Sequence, residues 1–368
     1  FCAWHQRQTT RKSSSYSADR GDIQRPVWTR SRCENSLSID VESYEFATLN
    51  RWQKEISKLE LGTFKNSLLF SVSIISVNRG ITMSEHIIEM AKALVKVKDG
   101  MIEVLIKPTI RHCPLRNDLY GFEEENHKTV EKVLRRHIEE FGMYGPNRVL
   151  ESDQKPVSFG ASEIIVDAMT EGLVDAAVVV CEGAGTVIIT RPEVLQAVGA
   201  HMTGLISTEP IKEIQDGLKQ KGCLLLDKQC TIDQVEGYIM AVEAGFRKIV
   251  VTITGHKASE AKRLQELGEI SGVKPVVVSV HNTGISVEEA ETLSDYCDIV
   301  WACASKLVRE IVGKRSKLQI GISIPVFGMT QAGKQLILNR ALHFEDGLII
   351  HRASLPYTPI EKQPEPLM

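Results

Sequence analysis

Residues 173–189 read Leu-Val-Asp-Ala-Ala-Val-Val-Val-Cys-Glu-Gly-Ala-Gly-Thr-Val-Ile-Ile. An apolar run bounded by turn residues is the pattern of a strand buried on both faces. It breaks at Cys181-Glu182-Gly183-Ala184-Gly185. The break predicts a strand that delivers a polar, flexible loop to one edge of a sheet.

The idea repeats downstream. Strands are expected near residues 204–206, 223–226, 248–253, 275–280, 299–302, 318–326 and 348–351, with helical segments between most of them. Thr208-Glu209-Pro210 places a proline early in a first turn. Thr231-x-x-Gln234 and Ser286-x-x-Glu289 have the spacing of capping boxes, and Gly222, Gly245 and Gly313 follow helix ends. Near-continuous apolar strands alternating with helices predict an α/β fold with a mostly parallel sheet flanked by helices, Rossmann-like. The alternative is a compact (β/α)8-type barrel. Units of only about 22–25 residues are tight for a fold that typically needs about 250.

Either architecture puts its ligand at the carboxyl ends of the strands. Those ends carry Cys181 and Glu182; Ser207 and Glu209; Asp227; Thr254 and His256; His281 and Asn282; Cys303, Ser305 and Lys306; then Thr330 and Lys334. Turn chemistry supplies Ser, Thr, Asn and Asp at such places, but does not ask for His, Cys, Glu and Lys. The edge is therefore expected to bind or act on something. Gly183-Ala-Gly185 is a GxG lacking a third glycine, a nonspecific phosphate cradle. Gly328-Met-Thr330-Gln-Ala-Gly333-Lys334 reads as a Gly-rich turn into a helix whose amides would hold an anion. It is no P-loop, because Gln335 follows the lysine, and Lys334 reads equally well as a solvated first-turn residue. Cys297 reads as core, and Cys223 and Cys230 as packing thiols.

Upstream, Ala93–Ile106 alternates around Asp99-Gly100 and predicts a β-hairpin with a type I′ turn. Next comes Lys107–Arg116, a Pro-bounded loop holding Arg111, His112, Cys113 and Arg116. A thiol among such groups would have a lowered pKa and serve as nucleophile or metal ligand; the competing reading is a buried, inert thiol. Glu123–Phe141 predicts a helix with Val130, Val133, Leu134, Ile138 and Phe141 on one stripe. A boundary is expected near Ser152–Pro156. Hence four parts: an N-terminal extension 1–82, a hairpin/helix module 83–155, an α/β domain 156–352, and an extended, poorly packed Pro-rich tail 353–368.

Residues 1–82 hold three of the four tryptophans and lack sustained period; they carry 12 Lys/Arg against 8 Asp/Glu. Clean periodicity starts at Met83, which reads as the native start, with a translated leader or mis-called extension upstream; the competing reading is a disordered basic tail. The whole chain of 368 residues is 43% hydrophobic and 25% charged, ordinary globular values. A net charge of −3 makes no electrostatic case for nucleic acid or an anionic membrane. The longest apolar runs are about ten residues, short of the roughly 20 that span a bilayer. Eight cysteines without dense regular spacing point to reduced thiols in a cytoplasm.

Three stretches carry a family likeness: IEVLIKPTIRHCPLRNDLYG (Ile102–Gly121), SFGASEIIVDAMTEGLVDAAVVVCEGAGTVI (Ser158–Ile188) and IPVFGMTQAGKQLI (Ile324–Ile337). From Met83 to about Arg352 the chain resembles the methanogenesis marker protein 8 family of methanogenic archaea, a domain of unknown function. The resemblance implies a cytoplasmic accessory protein. Its implied partner is methyl-coenzyme M reductase or the machinery of its assembly, modification or activation. It brings no catalytic residues and no cofactor.

Two functions fit. In the first, the edge binds a small anionic ligand or a metal cofactor. Cys113, Cys181 and Cys303 are then the redox groups or metal ligands, and His112, His256 and His281 the acid–base groups. Glu182 is a general base or ligand, and Gly183, Gly185, Asn282, Thr330, Gly333 and Lys334 contact a cofactor. In the second, the edge is a docking surface of a non-catalytic assembly factor. The decisive point is whether the His112-Cys113 loop reaches the edge.

Overall fold

Asp99 and Gly100 both take positive φ (51° and 75°), so the predicted hairpin closes as its sequence demands. It joins β2 (Ala93–Lys98) to β3 (Met101–Ile106). A strand that sequence reading missed, β1 (Glu85–Met90), pairs antiparallel with β2 through a second tight turn at Ala91-Lys92. The computed structural model describes residues 84–201 and 204–368; the expectations for residues 1–82 and for Met83 lie outside them.

Helix α1 (Pro114–Tyr120) follows the loop, and α2 (His127–Phe141) follows α1. The Asn126 side chain accepts from the Lys128 and Thr129 amides, and Thr129 reciprocates, so α2 starts at His127 rather than Glu123. Val130, Val133, Leu134 and His137 are its buried residues, and the apolar ones pack on the small sheet with Ile88, Val95 and Val97.

Next come α3 (Ala161–Thr170), β4 (Ala176–Cys181), β5 (Gly185–Ile189) and α4 (Pro192–Gly199). The opening stretch is thus two strands. Only Glu182–Ala184 separate them, far fewer than the dozen residues a parallel crossover needs, so they form an antiparallel hairpin. Then β6 (Gly204–Thr208) leaves for the small sheet and pairs with β1, giving the order β3-β2-β1-β6.

The chain continues through α5 (Lys212–Gln220), β7 (Leu224–Leu225), α6 (Gln234–Glu243), β8 (Ile249–Thr254), α7 (Ala258–Ser271), β9 (Val276–Val280), α8 (Val287–Tyr296) and β10 (Ile299–Trp301). A π-helical turn, Val308–Val312, precedes β11 (Leu318–Ile320), β12 (Val326–Gly328) and α9 (Gln331–Leu342). The Ser286 capping box is present. The Thr231 box is not: Asp233 caps α6, and Gln234 is buried, bonding Thr186 and the Thr252 carbonyl.

The large sheet runs β11-β12-β10-β9-β8-β4-β5-β7. Its four central strands are parallel, and every ladder flanking them is antiparallel. The mostly parallel expectation therefore holds at the centre only, and the sheet is mixed. It has two free edges, so no barrel closes among the described residues. The predicted strand over 318–326 is the β11–β12 hairpin, turned at Gly321 (φ 74°). Residues 348–351 form no strand and are exposed.

Two apolar layers cover the sheet. Ile164, Ile165, Leu195 and Ile337 pack one face; Tyr238, Leu264, Leu293 and Val308 pack the other. Each such buried side chain contributes about 1.5–3 kcal/mol. This three-layer frame fixes where the parallel strands end.

The tail corrects its own expectation. Gln363 and Pro364 are buried, and Glu365 forms an antiparallel bridge with His112. Met368 donates its amide to Ala304 O (2.9 Å) and accepts from the Lys306 amide (2.5 Å).

Candidate functional site

The parallel strands β4, β8, β9 and β10 deliver Glu182, His256, His281 and Cys303 to one edge. The small sheet lies against that edge: the Gly183 amide donates to Thr208 Oγ1 (2.7 Å), and Lys92 Nζ donates to Thr283 O (3.2 Å). Two separate places result.

The first is at the adjacent ends of β9 and β10. His281 and Cys303 both take left-handed backbone (φ 54° and 46°), conformations that non-glycine residues seldom adopt and that cluster at functional sites. Both are half-buried. The backbone amides of His281 and Asn282 favour the Cys303 thiolate. Burial pushes the Cys303 thiol up and Glu89 adds to this; the two amides and Arg309 oppose it. Burial lowers the pKa of His281, with Glu89 opposing. Neutral imidazole and neutral thiol thus share one edge, with a guanidinium able to favour the thiolate once formed. Asn282 contributes its amide only: its buried side chain latches Ser279 to Trp301 O (2.6 Å).

Arg309 sits beneath this place. The π-helical turn seats it 4% exposed, and it donates to Gln363 Oε1 (2.8 Å) and to the carbonyls of Ala302, Ser305 and Ser323. It has no carboxylate partner among the described residues. Burial lowers its pKa to about 10, opposed by the Cys303 and Cys113 thiols. The tail links the Cys113 loop to this edge: Glu365 bridges His112 while Gln363 bonds Arg309. For Cys113 the raised pKa goes with the buried-thiol reading rather than the lowered-pKa one: burial raises it, only partly offset by the Arg116 and Leu115 amides and the Arg116 charge. His112 Nδ1 donates to Glu123 O (2.9 Å), which fixes the tautomer with Nε2 unprotonated.

The second place is fully internal. Glu182 (0% exposed) accepts from Arg148 Nε at 2.6 Å. Burial works to lower the Arg148 pKa, but Glu182 holds it above the usual value. His86 Nδ1 bonds Thr208 Oγ1 (2.7 Å); His86 Nε2 and Tyr144 Oη are buried without partners. Burial lowers His86 and raises Tyr144. Cys181 is core, its thiol raised well above normal by burial. Gly183 and Gly185 are no phosphate cradle. Gly185 opens β5, and added Cβ atoms would meet Ile211 at 2.8 Å and the Cys230 carbonyl carbon at 2.3 Å, respectively.

The remaining residues fall elsewhere. His256 is exposed, 3.8 Å from Glu289. Burial works to raise Glu289, but hydrogen bonds from His256 and Ser286 hold it low. Thr330, Gly333 and Lys334 lie at the opposite edge. Because β12 runs antiparallel to β10, its carboxyl end meets Asp298, where β10 begins. Thr330 hydrogen-bonds Asp298 and caps α9, and Gly333 packs on the Asp298 carbonyl. The three cysteines do not assemble. Cys181 ends a strand three positions from β10, roughly 14 Å by strand spacing. Among the described residues no group of three His, Cys, Asp or Glu is spaced to hold a metal.

Arg309, Arg148, Tyr144 and His86 are the site residues that sequence reading missed. Residues 86–342 match the model of an archaeal family described as an uncharacterised protein conserved in archaea, DUF2099. The chain belongs to this archaeal family. A relative in Methanocaldococcus jannaschii, itself an uncharacterised protein, is 36% identical over 288 residues, 78% of this chain and all of the relative. The family match spans both places at the edge, but stops before the tail that closes over Arg309. No helix among the described residues is long and apolar enough to cross a membrane.

Proposed function

We propose that this protein binds a small anionic ligand at the carboxyl ends of β9 and β10, with Cys303 as the thiol that meets the ligand and His281 as its acid–base partner. The observation that carries the reading is the pair of half-buried, left-handed residues His281 and Cys303 at adjacent strand ends, beside the buried Arg309, whose guanidinium has no carboxylate partner among the described residues. Helical layers on both faces of parallel central strands, with the ligand at the strand ends, follow the doubly wound plan, and the fold is read here as Rossmann-like at its centre. The marker-family resemblance extends the proposal to a cytoplasmic accessory role beside methyl-coenzyme M reductase. A docking role has its own support in Leu342, Ile349 and Ile350, which are 84%, 91% and 77% exposed.

Anaerobic purification followed by mass spectrometry of the released small molecules and elemental analysis tests the reading. A bound anionic compound lost in Cys303→Ser and His281→Ala, and kept in Cys223→Ser, is the expected result. A ligand-free protein, or a ligand indifferent to Cys303 and His281, overturns it.

A further inference from the structure

The segment from Gln363 to Met368 behaves as a strap across the Cys303 edge. It is tied at three points: Glu365 O accepts the Arg111 and His112 amides (2.7 and 2.9 Å), Gln363 bonds Arg309, and Met368 bonds Ala304 and Lys306. Behind it, Tyr357 is held to Gln319 through its amide and carbonyl (2.8 and 2.7 Å), so the strap lifts from that anchor.

The tie at Arg309 is chemically mismatched. A buried guanidinium is best matched by a carboxylate or phosphate, whose opposite charge and second oxygen allow the bidentate ion pair that a carboxamide cannot form. Here the Nε–H meets the neutral carboxamide oxygen of Gln363 instead. The same carboxamide donates its Nε2 to Ile322 O and Pro359 O (3.0 and 3.1 Å), which holds the strap's own turn in shape. Gln363 thus stands where an anion fits better.

We propose that Arg309 is an oxyanion-binding subsite of the Cys303 edge, occupied in the free protein by Gln363, and that a ligand carboxylate or phosphate takes Gln363's place as the strap lifts. This rests on the reading of the edge as a ligand site and adds to it the ligand group recognised and the gate that admits it. The amides of Arg111, His112 and Lys306 donate into the strap, so their hydrogen exchange reports its closure directly.

The test uses the full chain, with inorganic phosphate as probe at constant ionic strength. Exchange at those three amides is read beside alkylation of Cys303. Gln363→Ala removes one bond to a charged group and is expected to speed the three amides by about tenfold or more, leaving β9 unchanged. In the wild type, phosphate speeds the same amides. Gln363→Glu supplies a tethered anion, so it slows them and abolishes the phosphate response. A Gln363 that only shapes the tail loses protection in both variants, because a carboxylate repels Ile322 O and Pro359 O, and that result overturns the proposal. Phosphate that slows Cys303 alkylation in every variant while the three amides stay unchanged also overturns it, yet leaves the edge as a ligand site. Strap amides freed in Gln363→Ala with no phosphate effect on Cys303 or on exchange in any variant sink both readings.

Discussion

His137 occupies a position in α2 where the stripe calls for an apolar side chain; it is 3% exposed and bonded by Nε2 to Tyr120 (3.1 Å). Burial, with the nearby His201 and arginines, lowers its pKa to about 3, and burial also lowers His201 to about 4. An unfolded histidine titrates near 6.5, so between these values the unfolded chain binds protons that the native protein refuses. Stability is therefore undiminished above pH 6.5 and declines as pH falls from 6.5 toward 4. His137 alone gives a slope approaching about 1.4 kcal/mol per pH unit. Urea denaturation at pH 7.5, 6.5 and 5.5 measures it; His137→Gln is expected to flatten the decline, and an unchanged slope would refute the assignment. At this scale the strand-end positions of Cys303 and His281 were legible, because strand ends are readable from periodicity. Arg309 and Arg148 were not. An arginine reads as solvated until its partner is known, and these partners stand 54 and 34 residues away in sequence.

Elements were legible where local chemistry decides them and illegible where pairing direction does. Asp99-Gly100 and Ser286-x-x-Glu289 fix a turn and a cap within four residues. Nothing within β5 or β12 states that they run against their neighbours. That one ambiguity moved Thr330, Gly333 and Lys334 to the wrong edge and turned Gly183 and Gly185 into a cradle. The hairpin reading is testable by comparing two glycines of similar φ. Gly172 (67°) has open space where a Cβ would stand, so Gly172→Ala is expected to cost about 1–2 kcal/mol from backbone strain alone. Gly185 (73°) has the Cys230 backbone there, so Gly185→Ala is expected to cost more than about 4 kcal/mol or prevent folding. Equal urea midpoints for the two variants would mean that the Glu182–Ala184 loop is not packed as described.

At the scale of the molecule, apolar strands alternating with helices correctly indicated an α/β protein, while the small sheet takes its fourth strand from beyond the first two strands of the large one. β6 lies late in the chain yet completes the small sheet beside β1, with Leu205 in the same core as Ile88. A fragment of residues 84–156 is therefore expected to show no cooperative thermal transition by circular dichroism, and addition of the remainder of the chain to restore one; a fragment that melts cooperatively alone would show β6 to be dispensable. Sequence could not reveal this exchange, because Gly204–Thr208 has the same apolar pattern whichever sheet it joins. The arrangement also has a consequence during synthesis. About a hundred residues separate the end of β3 from the end of β6. At roughly 5–20 residues per second the ribosome takes about 5–20 s to supply the missing strand. Throughout that interval the nascent hairpin presents an unpaired β1 edge, so this protein's yield in a foreign host should depend on chaperone supply and on the speed of translation between those two points.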